Sequence, residues 1–240
     1  MKKRVEFRPA SLKERKEFYR NEFSIKKVKG WFIKSGMKLP QLCAVDAGTE
    51  TGIIVNKKLR GKMLYFPFKD LMRKIKEYVP EDVYYSRNYY LNPKKVLRTL
   101  KFDKWEKQEL VFDIDSDNIV CVCKKGARVC DFCVNETFIW TKKMKKELET
   151  KFEKVRMVYS GRGFHLHIFD ERAFSLTFNE RKRLTRKFSK YPIDPWVSRG
   201  YIDLIRIPYS LNGLVSRKVI PLNRNSKFER TKSYPRFLLR

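Results

Sequence analysis

Hydrophobic positions along the chain follow two different periods, which separate predicted strands from predicted helices. Short apolar or alternating stretches typical of strands lie at 53–55, 63–66, 83–91, 109–114, 155–169, 201–211 and 219–222. Apolar residues at helical spacing predict helices at 15–23, 67–80, 135–152 and 177–191. Capping boxes at Ser11 and Thr177 introduce the first and the last of these helices. Because strands and helices mix without regular βαβ spacing, we predict an α+β fold.

The order of these elements favours a single domain. We find no internal repeat and no linker long enough to mark a boundary, so we predict one domain over residues 1–222. A small cysteine-rich insertion is predicted at about 119–136, and a basic C-terminal tail at 223–240. A chain of 240 residues, 42% of them hydrophobic, is long enough to bury a core.

Charge narrows the possible partners. The chain contains 56 Lys and Arg residues against 27 Asp and Glu, which gives a net charge of +29. A folded domain this basic is expected to bind polyanions, and nucleic acid is the first candidate. We find neither the run of about 18 apolar residues that a membrane span needs nor an apolar N-terminal signal, so secreted and membrane-spanning classes are excluded and no membrane partner is expected.

Two aspartates on one predicted strand are the strongest candidate for chemistry. The stretch 110–115 has the sequence Leu-Val-Phe-Asp-Ile-Asp, which directs its apolar side chains to the core and both Asp113 and Asp115 to the opposite face. Their Cα atoms would lie about 7 Å apart. Carboxylates this close repel each other unless a cation lies between them, and Mg²⁺ or Mn²⁺ accepts such oxygen ligands. Asp117 is a weaker candidate because it is expected to belong to the following turn.

A glycine turn is a weaker candidate for a functional site. The stretch 159–165, Tyr-Ser-Gly-Arg-Gly-Phe-His, places an arginine between two glycines, which lets the backbone approach a phosphate closely. It is compatible with triphosphate binding, although such hairpins are commonly structural. The two histidines of the chain, His165 and His167, share one face of the second strand.

Four of the five cysteines lie close together in the sequence. Their spacing suits a tetrahedral four-thiolate zinc site, which would be structural, and an iron–sulfur cluster is the alternative. Cys43 is expected to be a buried, isolated thiol. The predicted zinc ligands are Cys121, Cys123, Cys130 and Cys133.

The ordered set of motifs resembles a known family. The stretch 109–115, the cysteine group and the stretch 159–165 closely resemble the catalytic small subunit of archaeal and eukaryotic DNA primases. Further similarities lie at 14–19 (Glu-Arg-Lys-Glu-Phe-Tyr), 83–86 (Val-Tyr-Tyr-Ser) and 206–211 (Arg-Ile-Pro-Tyr-Ser-Leu). The resemblance implies a mixed-sheet α+β primase catalytic fold with a zinc-binding insertion. Where many relatives have a histidine after the Pro-x-Ser segment, this chain has Asn212.

The resemblance also implies an activity and a set of site residues. Family members make short RNA primers on single-stranded DNA, using two Mg²⁺ or Mn²⁺ ions held by three aspartates. By motif, Asp113 and Asp115 would be metal ligands. The residues that would contact the incoming nucleotide are Ser160, Arg162, His165, Arg206 and Asn212.

The third aspartate has two candidates, Asp194 and Asp203. The stretch 194–200, Asp-Pro-Trp-Val-Ser-Arg-Gly, is similar to the eukaryotic run Asp-x-x-Val-Ser-Lys-Gly, and the downstream Pro-x-Ser segment lies at the matching distance. We therefore predict Asp194 as the ligand. The alternative is that Asp194 only starts a turn before Pro195.

The resemblance further implies partners and leaves two other functions open. Expected partners are a single-stranded DNA template, an RNA or DNA primer, nucleoside triphosphates and a primase large subunit. Expected localisation is cytoplasmic and nucleoid-associated in an archaeon, or nuclear in a eukaryote. One alternative is a primase-related polymerase of repair or plasmid replication. Another is a non-catalytic, zinc-containing nucleic-acid-binding protein, which the aspartate pair disfavours because acidic groups beside DNA phosphates weaken binding.

Overall fold

A computed structural model of the chain describes residues 6–46, 63–121, 123, 129–223 and 228–240. The helices are α1 (Leu12–Asn21), α2 (Ile25–Lys34), α3 (Leu71–Tyr78), α4 (Pro93–Thr99), α5 (Asp131–Glu149), α6 (Glu171–Phe174), α7 (Phe178–Lys187) and α8 (Pro195–Arg199). The first six strands are β1 (Leu42–Asp46), β2 (Met63–Pro67), β3 (Val83–Ser86), β4 (Asn88–Tyr89), β5 (Lys107–Gln108) and β6 (Leu110–Ile114). The remaining strands are β7 (Val155–Tyr159), β8 (Phe164–Ile168), β9 (Leu204–Arg206), β10 (Leu211–Asn212), β11 (Arg217–Lys218) and β12 (Ile220–Leu222).

Two four-stranded sheets form the framework. The first sheet has the strand order β2-β1-β3-β9 and the second has the order β12-β7-β8-β6. Two short ribbons, β4-β5 and β10-β11, complete the strands, and every ladder among the described residues is antiparallel. The predicted α+β class is confirmed. The strand predicted at 53–55 lies outside the described residues.

The second sheet is buried on both of its faces. One face packs Phe112 and the neighbouring apolar positions against α5, and the sequence predicts that these positions face a core. The opposite face carries Val111 and Val158 into a second core, which contains residues of the first sheet and of helices α1 to α3. The sequence pattern predicts that this opposite face presents Asp113, which could bind a cation there. Val111 lies two residues earlier on the same face, and its burial places the carboxylate at the border of a core.

Local capping signals set several helix boundaries. Both predicted capping boxes are present, with Ser11 at the start of α1 and Thr177 at the start of α7. Helix α5 begins four residues before the predicted cap, because Cys130 occupies the N-cap position and Asn135 lies inside the helix. Helices α2, α4, α6 and α8 are not among the sequence predictions, and α4, α6 and α8 span only seven, four and five residues.

The C-terminal residues 228–240 pack against the rest of the protein. Tyr234 and Phe237 are buried, and Phe228 contacts the core beneath α5. The Arg236 backbone N–H donates a hydrogen bond to the Glu22 carboxylate at 2.7 Å. Among the helices in the described parts of the chain, none combines the length and the apolar character that crossing a membrane would require.

Candidate active site

Asp113 lies at the end of β6, the edge strand of the second sheet. Antiparallel pairing places it opposite His165 of β8, and the His165 Nε2 atom lies 3.6 Å from the Asp113 Oδ1 atom. The Asp113 side chain is 19% exposed, whereas the His165 side chain is 1% exposed. The carboxylate therefore reaches the surface over a histidine held inside the sheet.

Asp115 follows the strand and is held by an arginine of the glycine turn. Its carboxylate accepts a hydrogen bond from Arg162 Nη2 at 3.0 Å and one from the Asp117 backbone N–H at 3.1 Å. Arg162 also pairs with the Asp117 carboxylate at 2.9 Å. Asp117 thus lies in the turn, as expected, and its carboxylate shares the guanidinium with Asp115.

Asp194 is brought beside Asp113 by backbone pairing. Ile193 forms a bridge with Ile114, and the Asp194 backbone N–H donates to the Asp113 carbonyl oxygen at 2.8 Å. The Asp194 carboxylate caps helix α8 by accepting a hydrogen bond from the Trp196 N–H at 2.8 Å. The Asp-Pro sequence is therefore an N-cap followed by proline at the first helical position, a signal that predicts α8.

Asp203, the other candidate for the third aspartate, is bound elsewhere. Its carboxylate accepts a hydrogen bond from the Ser86 hydroxyl at 2.9 Å, and its carbonyl accepts one from the Arg87 N–H at 2.8 Å. Both contacts lie at the end of β3 in the first sheet. The structure therefore places Asp194, rather than Asp203, next to Asp113 of β6.

The three aspartates act on one another electrostatically. Burial, reinforced by the negative charges of Asp115 and Asp194, raises the pKa of Asp113 to about 8, while Arg206 and Arg162 oppose the shift. Three carboxylates at one edge of a sheet are unfavourable without added positive charge. Carboxylate oxygens are ligands that Mg²⁺ and Mn²⁺ prefer, so the residue types at this edge suit divalent ions.

The glycine turn between β7 and β8 is tightly packed. Gly161 has a φ of +110°, and a Cβ atom there would lie 2.7 Å from the Asn212 Cβ atom. A Cβ atom at Gly163 would lie 2.5 Å from the Ile114 carbonyl oxygen. Glycine at 163 therefore lets the turn approach the end of β6, and glycine at 161 lets it approach Asn212 of β10.

Two predicted phosphate contacts hold this turn together. The Ser160 hydroxyl accepts a hydrogen bond from the Gly163 N–H at 3.3 Å, and the Ser160 carbonyl accepts one from Asn212 Nδ2 at 3.0 Å. Both side chains are buried, and the Asn212 Oδ1 atom has no hydrogen-bond partner. In this structure Ser160 and Asn212 therefore shape the turn. The Arg162 side chain is half-buried, and its Nε atom has no hydrogen-bond partner.

Arg206 reaches the site from the first sheet. Its guanidinium makes two hydrogen bonds of 2.9 Å to Asp82 and lies over the ring of Tyr84, 5.5 Å from its centroid. It is close enough to Asp113 to lower the pKa of that carboxyl group. The predicted phosphate contact is thus held by an acidic partner that sequence reasoning missed.

A buried network beneath the site was also missed. The His167 Nδ1 atom lies 2.7 Å from the Glu109 carboxylate, which accepts a hydrogen bond from the Tyr85 hydroxyl at 2.8 Å. The ring of His167 lies 5.7 Å from the ring of His165. The alternation on β8 signals that both histidines share a face, but the pairing with Glu109 depends on the β6–β8 register.

Comparison with known proteins identifies the family. An uncharacterized DNA primase small subunit-like protein of Archaeoglobus fulgidus is 37% identical, over 97% of this chain and 92% of its own length. The chain belongs to the DNA primase small subunit family. DNA primase small subunits PriS of Pyrococcus abyssi and Pyrococcus furiosus are 31% and 30% identical over 78% of the chain. The alignments cover 51% of each PriS protein, so the chain spans about half their length.

A solved structure supports the same fold. The polymerase domain of Mycobacterium tuberculosis ligase D, in complex with DNA, superimposes with a TM-score of 0.50 over 89% of this chain and 81% of that chain. The sequence identity is 13%, so this likeness concerns the fold alone. No model of a known protein family matches the chain.

The four cysteines of this primase family member form one cluster. All four sulfur atoms lie within 4.8 Å of one another, and neighbouring Sγ atoms are separated by 3.3 to 3.7 Å. Zn–S bonds of about 2.3 Å in a tetrahedron would set the sulfur atoms about 3.8 Å apart, so the cluster could hold a zinc ion. Cys43 is buried in β1, as predicted, and burial raises the pKa of its thiol.

Proposed function

We propose that the protein is the catalytic subunit of a DNA primase, which joins nucleotides on a single-stranded DNA template. The observation that carries this proposal is the meeting of Asp113, Asp115 and Asp194 at one sheet edge, beside Arg162. A protein that only binds nucleic acid gains nothing from three acidic groups at this place, because they repel phosphates. Membership in the primase small subunit family supports the same function.

The three aspartates would hold two divalent ions, which supply charge stabilisation for phosphoryl transfer when bound. Arg162 donates toward this edge, and its guanidinium can exchange a carboxylate for a nucleotide phosphate without leaving the glycine turn. Arg206 is fixed by Asp82 and contributes positive charge at the border of the site. Ser160 and Asn212 would act by keeping the turn in place, and His165 by supporting Asp113.

The expected substrate, structural metal ion, protein partner and product of the proposed primase follow from the charge of the chain, its cysteine cluster and its family. The net charge of +29 suits a DNA template and a primer, and the cysteine cluster would carry a structural zinc ion. A primase large subunit is the expected protein partner. RNA is the expected product.

A second candidate is a primase-related polymerase that extends existing primers. Asn212 favours it, because this neutral amide replaces a histidine of many relatives and is bound to the Ser160 carbonyl. It therefore brings no positive charge to a triphosphate. The two candidates differ in whether synthesis can begin without a primer.

The test is nucleotide incorporation on single-stranded DNA with all eight nucleotides, Mg²⁺ or Mn²⁺, with and without a primer and a candidate large subunit. Synthesis on the unprimed template supports the primase, and synthesis only from a primer supports the second candidate. The control is Asp113→Asn, which removes one carboxylate charge and should be inactive in every arm. Equal synthesis by wild type and this variant would contradict both candidates.

A separate variant tests the nucleotide contact. Arg162→Ala should raise the apparent KM for nucleotides by roughly tenfold or more, since a charge-assisted hydrogen bond to phosphate is lost. DNA affinity should change little, because most of the 56 basic residues remain. Arg162→Lys should recover part of the loss. An unchanged KM for Arg162→Ala would remove this residue from the site.

A further inference from the structure

A second cavity lies away from the aspartates, between α2 and the β7–β12 side of the second sheet. Its volume is about 740 Å³, and residues of α2, α5, β7 and β12 line it together with Tyr209. Pockets of this size accommodate a small ligand such as a nucleotide. None of the three aspartates, Arg162 or Arg206 is among the lining residues.

The lining of this cavity is strongly basic. Five cationic side chains and no acidic ones contribute to it: Lys26, Lys27, Lys34, Lys145 and Arg156. Lys145 is neutralised by Glu149, with 2.5 Å between Nζ and Oε1. Within the part of the chain that the structure describes, the other four form no ion pair, and Arg156 donates only to the neighbouring Val155 carbonyl at 3.3 Å. Cations around one cavity repel each other, and an anion between them would relieve that repulsion.

A glycine inside α2 opens the cavity. Gly30 lies in the middle of the helix, where glycine destabilises the helix relative to alanine. A Cβ atom at this position would meet no heavy atom within 4 Å, so packing against the protein does not require the glycine. The missing side chain instead leaves space next to Trp31, in the wall of the cavity.

Aromatic side chains form another part of the wall. Trp31 is fixed by edge-to-face contacts with His167 and Phe169, at ring-centroid distances of 5.3 and 5.4 Å. Tyr209 has a φ of +69°, a left-handed conformation that is unfavourable for a residue with a side chain. Its N–H donates to the Val219 carbonyl at 2.8 Å, which holds it in this conformation. Backbone strain of this kind is concentrated at ligand-binding sites.

We propose that this cavity binds the phosphates of a nucleotide, at a site separate from the aspartates. The cations without an ion pair match a ligand with several negative charges, and the partly exposed Tyr209 offers a ring to a sugar or a base. The same phosphate chemistry is present in a free nucleoside triphosphate and in a nucleotide unit of a DNA strand. Binding here requires neither divalent ions nor the proposed catalytic activity.

The test is calorimetric titration of the full chain, without divalent ions, with ATP, inorganic tripolyphosphate and a twelve-nucleotide single strand as separate probes. Gly30→Leu fills the cavity without changing charge, and Lys34→Gln removes one cation. Lys29→Gln is the matched control, because Lys29 lies on the same helix, is exposed and does not line the cavity. Arg156→Gln removes a cation from the opposite wall. Because Arg156 lies on β7, this variant still tests the cavity if substitutions in α2 unfold that helix.

We expect Gly30→Leu, Lys34→Gln and Arg156→Gln to weaken binding of at least one probe by roughly tenfold, the size of one charge-assisted contact. Lys29→Gln should bind like the wild type. If the cavity variants lose affinity for ATP, the ligand is a free nucleotide. If they lose affinity for the single strand alone, the ligand is a nucleotide unit of a strand. An equal loss of affinity for tripolyphosphate shows that the phosphates suffice for binding. Wild-type binding of all three probes by the cavity variants would overturn the proposal. Primer synthesis, measured in parallel, reports separately on the aspartate site.

Discussion

Asp194 and Asp203 are chemically identical side chains, but their surroundings predict very different losses of activity from the same substitution to asparagine. Asp194→Asn should lower nucleotide addition by roughly a thousandfold, since loss of the proposed metal ligand would remove several kcal/mol of stabilisation. Asparagine is as good an N-cap as aspartate, so α8 should keep its start at Pro195. The measurement is single-nucleotide extension of a primed template with Mn²⁺.

Asp203→Asn is the matched control for this change. The new amide oxygen can still accept the hydrogen bond from Ser86, so extension should fall by no more than a few-fold. Melting temperatures of both variants show whether each remains folded. An inactive Asp203→Asn combined with an active Asp194→Asn would reverse the assignment of the third aspartate.

The raised pKa of Asp113 makes the stability of the metal-free protein depend on pH. Because the pKa is about 8 in the folded protein and near the ordinary carboxyl value when unfolded, the folded state holds the proton more tightly. The stability that this group contributes is present at low pH and is lost as the pH rises toward 8. In Asp113→Asn this loss should be absent.

Urea unfolding of wild type and Asp113→Asn at several pH values, after dialysis against metal-free buffer, measures the effect. The variant should gain stability relative to the wild type between about pH 4 and pH 8, with no further gain above that range. A difference in midpoint that stays constant with pH would show that the Asp113 carboxyl titrates normally.

Helix α8 joins the aspartate site to a surface of exposed aromatic side chains. Trp196 is 61% exposed, and its ring lies 5.3 Å from Tyr201, which stacks on Phe178 at 5.7 Å. Trp196→Ala should weaken single-stranded DNA binding by roughly tenfold, because base stacking on one aromatic ring contributes about 1–3 kcal/mol. Fluorescence anisotropy with labelled oligonucleotide checks this. Trp196→Phe keeps a ring and should bind nearly as well as the wild type, and equal losses in both variants would exclude stacking.

The start of α5 depends on the cysteine cluster. Cys130 is the N-cap of this helix and Cys133 lies in its first turn, so a zinc ion would fix the helix end. Elemental analysis should find about one zinc per chain in the wild type and much less in Cys130→Ser. Cys43→Ser should retain the zinc. Iron, or no metal, in the wild-type protein would contradict the zinc prediction.

Elements with strong local signals were predictable from the sequence, and pairings between distant elements were not. Two-residue alternation predicts the apolar face of β6, with Leu110, Phe112 and Ile114 in one core, and capping boxes predict the starts of α1 and α7. Capture of Arg206 by Asp82 joins residues 124 positions apart, and no local period encodes such a contact. The burial of both sheet faces was missed for the same reason, since it depends on what packs across from Val111.

At the scale of the whole molecule, acidic groups are concentrated where cations would be bound. The chain has 27 acidic residues in total, and four of them, Asp113, Asp115, Asp117 and Asp194, lie at one sheet edge. The surrounding surplus of positive charge attracts a polyanionic strand over long range, and this attraction is screened by salt. Local negative charge and overall positive charge therefore serve different ligands on the same protein.

Strand β8 contributes to both cores, which couples their unfolding. All five of its residues are buried. Leu166 packs beneath α5, while the ring of His167 on the opposite face lies 5.3 Å from that of Trp31, a residue of the core shared with the first sheet. Neither core can open without exposing this sheet, so we expect one cooperative transition and the slowest amide exchange in β8. Hydrogen exchange in rising denaturant would measure it, and separate midpoints for the two cores would contradict it. Since β8 also carries His165, the floor of the aspartate site belongs to the last part of the protein to unfold.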